Sequence, residues 1–505
     1  MKIPTYVLFF ILFVQTFTHA QFQGYTPEYP VQATEEYARS NIYQQDFLYY
    51  CDALVDTHPD VYLNFPKEEF NRQKKLTFEK LSGCKDANEF LDLLNRFITP
   101  LHDGHTTVPS PSFYSEKEYP VRYRFFGDSL YIINATGQVP DLTGEIVASI
   151  NGLQVKDIRD KAYRCISAEN STALTNTLNS LLNNAGFMRY IGVIKNESDS
   201  LTVSTLSKRS VVIYPNSNSE WRVVFKDHPV TAKGSYYFDY QILKDKSLCY
   251  LQFNDFADKD IVNYYLQPRP WWQRYLVKTV RFLGLLPKGC NDYFHEFLND
   301  MIEDMESNDI KTLVVDLRNN GGGNSSLGNE LLYVLGVDKY KSFRNSLKVS
   351  KLYKMYHPEA KVDTAGKTVV TADTTVSYSY LDYSEKIPKR FKGKVYYIIG
   401  EWTFSSAVLH STTVKDNKLF PVIGEATMER PSHFGEVLSF QLPNTKSVCR
   451  ISCKQFYRPD NKKDSDDTLY PDVPVYKTYR SIMDGTDPAY DWIMKQNDLS
   501  LEKVN

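Results

Sequence analysis

Along the chain, apolar residues first recur at helical spacing, then alternate in short runs, and finally gather into buried-type strands between helices. Phe47, Tyr50, Cys51 and Leu54 fall at i, i+3, i+4 and i+7, one apolar stripe of a helix. Asp86 with Glu89 has the form of a capping box, opening a helix striped by Phe90, Leu93, Leu94 and Phe97. That helix ends near Pro100 and delivers the chain into Leu101-His102-Asp103-Gly104-His105-Thr106. From about 118 to 235 the runs are short and β-type: Val121 to Phe126, Leu130 to Ile133, Ile146 to Ile150, Leu201 to Val203 and Val211 to Tyr214. Asn151-Gly152 is a strong turn signal after the third of these. A helix around 172 to 186 separates the later strands.

From about 240 strands alternate with helices, the mark of an α/β domain. Leu248 to Phe253, Leu313 to Leu317 and Val395 to Ile399 read as buried strands, and Phe294, Phe297, Leu298, Met301 and Met305 stripe a helix. No internal repeat stands out. The segment 268–288 interrupts this pattern, with Trp271, Trp272, Tyr275, Val280 and Leu283 opposed by Arg274, Lys278 and Arg281. It reads either as an insertion packed on its own domain or as a basic amphipathic helix lying on a membrane or shaping a groove.

Composition narrows the class. The 505 residues suggest about three domains. Apolar residues at 42% and charged residues at 24% are those of a globular protein. Lys and Arg number 59 against 61 Asp and Glu, and so even a balance argues against a nucleic-acid binder held by phosphate contacts. Lys2, the apolar run Tyr6 to Val14 and Thr18-His19-Ala20 before Gln21 form a secretory signal, so the mature protein is expected to be exported and soluble. Seven cysteines are sparse for this length, and their odd number leaves at least one unpaired. Cys449 and Cys453, four apart in a strand-like stretch, lie about 13 Å from each other and cannot bond without a bend. Mostly buried free thiols, with at most one disulfide, are expected.

Two segments carry the chemistry. Asp316-Leu317-Arg318-Asn319-Asn320-Gly321-Gly322-Gly323-Asn324 lies between a buried strand and a helix over Leu327 to Leu335. Its glycines let the backbone approach a ligand and aim N–H groups at an anion. A dinucleotide site fails on spacing and a P-loop fails for want of Gly-Lys-Ser/Thr, which leaves an oxyanion-type nest. The second, Thr403-Phe404-Ser405-Ser406-Ala407-Val408, follows the strand Val395 to Ile399 and opens a helix to about Lys415. There Ser405 is either an exposed nucleophile at the positive end of a helix or an ordinary N-cap. A nucleophile needs a base. His105, in a Gly-containing loop, is the first choice, His433 a distant second, and His410 on the same helix is expected to face elsewhere. No HExxH or other metal-ligand spacing exists, and neither a metal nor a cofactor is expected.

These segments together resemble the tail-specific, C-terminal-processing serine peptidases, and more closely their tricorn-like Ser/His branch. The matches are DLRNNGGG at 316–323, TFSSA at 403–407, VIGEAT at 422–427 and HDGHT at 102–106, while GEIVASING at 144–152 is similar to the core of a PDZ-like domain. The resemblance implies an α/β fold with a crotonase-like (ClpP-like) spiral core, a small β-rich PDZ-like domain and an N-terminal helical segment. The implied boundaries are a signal peptide at 1–20, helices with the His loop at 21–117, the PDZ-like domain at 118–238 and the peptidase core at 239–505.

It also implies roles. Ser405 would attack a scissile carbonyl, His105 would carry the proton, and the N–H groups of Ser406 and of Gly322 or Gly323 would hold the oxyanion. The lysine base of the other branch would fall near Arg430, and arginine stays protonated, which favours His105. The acid that orients His105 is sought at Asp464 or Asp466, with Glu436 in reserve, although each also reads as a solvated turn residue. A GLGF-type loop is missing, which argues against capture of a substrate's C-terminal carboxylate. The expected partner is polypeptide, with no nucleic acid and with peripheral membrane contact through 268–288 left open. The oligomeric state is not legible.

The leading expectation is therefore an exported serine endopeptidase acting on unfolded or extended chains. The alternative is a catalytically inactive homologue that binds peptides or apolar ligands in the same groove, with His105 far from Ser405. A lipase of the α/β-hydrolase type is disfavoured, because Ser405 lacks the GxSxG elbow. Sequons at Asn134, Asn170, Asn196 and Asn324 are read as chance matches, since a glycan on Asn324 would obstruct the glycine nest.

Overall fold

The computed structural model describes residues 29, 34–136, 139, 142–217, 226–234, 236–266, 271–282, 289–358, 368–370, 375–377 and 383–501. The expected signal peptide and the ends of the 268–288 segment lie outside them. Within them the chain is mixed α/β, with a central sheet, a smaller sheet covered by N-terminal helices, and a β-rich module.

The central sheet has six strands in the order 473–474, 422–424, 394–399, 312–316, 248–253, 238–243. The first five run parallel and Phe238–Leu243 closes the edge antiparallel to Leu248–Phe253. Every residue of Leu248–Phe253 and of Thr312–Asp316 is buried, because helices cover both faces. Phe294–Ser307 and Ser326–Val334 supply Phe294, Leu298, Met301 and Leu331 to one face, and Ile493 from Pro488–Leu501 packs on the other. The carboxyl ends of 312–316, 394–399 and 422–424 each lead into a loop of the site described below, as open α/β sheets place ligands.

The N-terminal helices begin where side chains cap them. Asn41 accepts the N–H groups of Tyr43 and Gln44 while Gln44 reaches back to Asn41, and Ile42–Thr57 follows. Asp86 caps Ala87–Ile98, but Glu89 accepts the Lys85 N–H and not that of Asp86, so this cap is one-sided. Phe47, Phe90 and Phe97 are buried in one cluster with Leu438, Phe440 and Ile451. The last three come from His433–Gln441 and Val448–Tyr457, paired strands of a four-stranded antiparallel sheet. The helices thus share their core with a sheet drawn from the far end of the chain.

The middle of the chain forms a ribbon, Val121–Phe126 with Ser129–Ala135, and a four-stranded sheet ordered 153–154, 147–150, 201–205, 210–213. Asn151 and Gly152, at φ 50° and 76°, make the turn between the first two of these in chain order. The single helix expected at 172–186 is two, Ser171–Leu181 and Ala185–Tyr190, the second starting at the side-chain cap of Asn184.

The seven cysteines are thiols, and six of them are buried. Trp271–Phe282 is a helix on which Trp271, Trp272 and Tyr275 are exposed. No described helix is long and apolar enough to cross a membrane.

Candidate active site

Ser405 stands at the turn between the central strand Lys394–Ile399 and the helix Ser406–Asp416. The turn is stapled to the glycine loop from beneath. Thr403 Oγ1 donates to Leu317 O at 2.9 Å and Phe404 N–H to Asn320 O at 3.0 Å. Ser405 itself has φ 53° and ψ −125°, a region that costs a non-glycine residue about 1–3 kcal/mol. It occupies the N-cap position yet makes no side-chain cap bond. Its Oγ instead lies 3.0 Å from His105 Nε2.

His105 is fixed on several sides. Its ring stacks on Phe404 at 4.6 Å, and its backbone N–H donates to Asp103 Oδ1 at 2.8 Å. The loop is tied to the smaller sheet by reciprocal bonds, Thr107 N–H to Arg450 O at 3.0 Å and Arg450 N–H to Thr107 O at 2.9 Å. Asp103 is wholly buried, with Ser452 Oγ donating to its Oδ2 at 2.7 Å and His58 Nε2 3.3 Å away. Burial alone would raise this carboxyl, but His58 and its other partners hold it well below the usual carboxylate range.

Behind His105 lies Glu429, fully buried, with Oε1 3.2 Å from His105 Nδ1. That approach is off the line of a good N–H hydrogen bond, a common state before substrate binds. Its other oxygen accepts the Ser405 N–H at 2.5 Å, so one carboxylate touches both the histidine and the serine's backbone. Burial pushes Glu429 up to about 7, against the pull of His433 and the Ser405 N–H. His433 stacks parallel to His105 at 5.9 Å, and its Nδ1 lies 2.9 Å from Arg430 O. This leaves Nε2 as the unprotonated nitrogen toward Glu429, 3.7 Å away.

The acids expected to orient His105 are elsewhere, and this is a correction. Asp464 accepts from Ser432 Oγ, Asp466 pairs with the buried Arg458 at 2.7 Å, and Glu436, exposed on its strand, pairs with Lys454 at 2.5 Å. Each is drawn off by a nearer donor. Sequence reasoning missed Glu429, although the residue beside it, Arg430, is the position weighed against a lysine base. The usable signal was an acid next to that position and close in sequence to Ser405.

The glycine loop closes the other side. Gly322 and Gly323 have φ 101° and 128°, and a Cβ on Gly322 would come within 2.6 Å of Ser405 Cβ. The Gly322 N–H is committed to Asn320 Oδ1 at 2.8 Å. Gly322 O accepts from Phe256 N–H at 2.8 Å, so the trans peptide turns the Gly323 N–H away from Phe256. Gly323 N–H and Ser406 N–H are then the backbone donors available beside Ser405. His410 lies apart in the core, 3.1 Å from Tyr397 OH, and burial lowers it to about 3.

Gly322, Gly323 and Phe404 line a cleft of about 720 Å³ that continues past Ile166, Ala168, Tyr236, Tyr237 and Trp402. Asp103, His105 and Glu169 bring possible metal-ligand atoms within 4.8 Å of one another. The carboxylate oxygens of Asp103 and Glu169 already accept protein N–H and O–H groups, so this cluster ties loops together and does not offer open ligands.

Residues 288–475 match the sequence model of Peptidase family S41. No curated protein matches the chain. Among solved structures, mature CPAF complexed with lactacystin is similar at 14% identity, with a TM-score of 0.58 over 91% of this chain and 98% of that one. Mature CPAF alone gives 13%, 0.57, 91% and 97%. A putative peptidase from Parabacteroides merdae gives 13% and 0.48 over 91% and 97%. At these identities the CPAF likeness is one of fold.

Proposed function

We propose that this chain, a serine-type peptidase by its family S41 domain at 288–475, cleaves extended polypeptide through Ser405, His105 and Glu429. The observation that carries the reading is the 3.0 Å contact of Ser405 Oγ with His105 Nε2, backed by a buried carboxylate. Ser405 Oγ attacks the carbonyl carbon as His105 Nε2 takes its proton, and Glu429 faces the imidazolium that forms. Gly323 and Ser406 N–H groups receive the developing oxyanion, each donor contributing about 3–4 kcal/mol. The proton passes to the leaving amine, and water then repeats the sequence on the acyl-enzyme. The aromatic cleft beside Ser405 suits the apolar side chains of an unfolded segment.

The 3.0 Å contact also weighs against an inactive homologue, which called for His105 far from Ser405. Ser405→Ala tests the reading. It is expected to fold with an unchanged Tm, to lose hydrolysis of an unfolded protein substrate by at least about 10³-fold, and to escape fluorophosphonate labelling. Retained hydrolysis overturns the assignment.

Export belongs to the same proposal and rests on the Lys2, Tyr6–Val14 and Ala20 pattern. N-terminal sequencing of secreted protein should begin at Gln21. Membrane contact through 268–288 is the finer possibility, supported by exposed Trp271, Trp272 and Tyr275 beside basic residues.

A further inference from the structure

The β-rich module reaches both the histidine loop and the Glu429 loop through a short segment, Ser167-Ala168-Glu169-Asn170. On one side it grips the histidine loop residue by residue. His102 Nδ1 donates to Ala168 O at 3.0 Å, Ser167 Oγ donates to Asp103 O at 3.2 Å, and Gly104 N–H donates to Glu169 Oε1 at 2.9 Å. On the other side it grips the loop that carries Glu429. Arg430 N–H donates to Glu169 Oε2 at 3.3 Å, and Asn170 Nδ2 donates to Thr427 O at 3.1 Å. Glu169 is the crossing point, one oxygen on the residue before His105 and the other on the residue after Glu429.

We propose that Glu169 is a positioning residue for the reaction, a bracket that sets the separation of His105 from Glu429 and ties that separation to the seating of the module. Its carboxyl is buried, so both amides it receives would lack acceptors without it. The space around it is tight, since a Cβ on Gly104 would lie 3.2 Å from Glu169 Oε1 and 3.3 Å from Phe404. Burial first, then the charges of Glu429 and Asp103, push Glu169 well above the ordinary carboxyl range, while His105 opposes them. Glu169 sits at the edge of the cleft, with a carboxylate oxygen within 4.8 Å of a His105 ring nitrogen, and both of its oxygens are taken up by backbone N–H groups of the two loops. A glutamine there keeps the shape but presents N–H to one of the two backbone N–H groups, so one arm opens. An error of this kind at the base–acid pair lowers the rate without weakening substrate binding.

The inference rests on the peptidase reading, and the experiment separates the two. Turnover of a fluorogenic peptide is measured for Glu169→Gln and Ser167→Ala in the full chain. Rates are normalised to sites titrated with a fluorophosphonate, with Ser405→Ala alongside. Expected is a fall in kcat per titrated site of at least about tenfold for Glu169→Gln, with KM within about twofold. Ser167→Ala, which leaves Glu169 in place and removes one grip, gives a smaller loss of the same kind. A Glu169→Gln enzyme with the parent's kcat per site, or with its loss confined to KM or to the number of titratable sites, overturns the bracket. An active Ser405→Ala overturns the reading beneath it instead.

Discussion

Ser405 holds a backbone conformation that a serine adopts only under constraint, and the constraints are visible: the staples of Thr403 and Phe404, the Glu429 carboxylate on its N–H, and Gly322 pressed against its Cβ. Gly322→Ala cannot fit at φ 101° with 2.6 Å to Ser405 Cβ. The expected result is a fall of at least about tenfold in kcat/KM, reflecting serine displacement by about 1 Å, with substrate affinity in Ser405→Ala background little changed. Glu429 is raised to about 7 by burial, yet it opposes an imidazolium best when ionised. Activity is therefore expected to rise with pH through about 7. Glu429→Gln should lower kcat by about 10²–10⁴-fold and remove the carboxylate's part of that limb, measurable in a pH–rate profile. Ser405 and His105 were legible because each follows a recognisable punctuation, a buried strand or a glycine loop. Glu429 was not, because its role is a three-dimensional contact and it sits in no acidic run, whereas Asp464 and Asp466 do.

Among elements, the central strands were readable to within a residue or so. Leu248–Phe253 and Thr312–Asp316 are buried on both faces, so their apolar runs are continuous and need no partner to be recognised. Of the hairpin His433–Gln441 and Val448–Tyr457, only the strand-like stretch around Cys449 to Cys453 was read. The hairpin's burial does not alternate cleanly, and Glu436 breaks the period at φ 50°. The helix after Ser405 packs against Ser326–Val334 through a narrow contact, where a Cβ on Gly328 would lie 2.7 Å from His410 Nδ1. Gly328→Val is expected to destabilise by about 1–3 kcal/mol, read as a shift in denaturant midpoint. His410 itself makes the fold acid-sensitive. Its folded value is depressed to about 3 by burial, so its contribution is whole above about pH 6.5 and is lost as pH falls toward 3. His410→Asn should flatten the decline of Tm between pH 6.5 and 4.

At the scale of the molecule, the passage from helical stripes to short β-type runs and then to an alternating α/β pattern could be read from changes of hydrophobic period. The sharing of one core between the first helices and the last hairpin could not, because amphipathic stripes show that a face is buried but not against what. The module is likewise more than an appendage. Besides the 167–170 segment, Asn176 donates to Glu401 O and Arg124 pairs with Glu401 in the turn before Ser405. Acylation of Ser405 by a fluorophosphonate is therefore expected to slow amide exchange in 167–181 together with 102–107 and 427–430. Protection confined to the peptidase domain would show the module to be uncoupled.

Ser405 and His105, the pair proposed to react, lie 300 residues apart, and the histidine's loop is tied down by Arg450 and Ser452 as well as by the 167–169 segment. While it is being synthesised, the growing polypeptide carries its proton acceptor long before it carries anything to deprotonate. At about 5–20 residues per second that interval is on the order of 15–60 s. On the proposed chemistry, no emerging fragment can digest its neighbours or itself, and hydrolytic power arrives late and whole, as a property of the finished molecule.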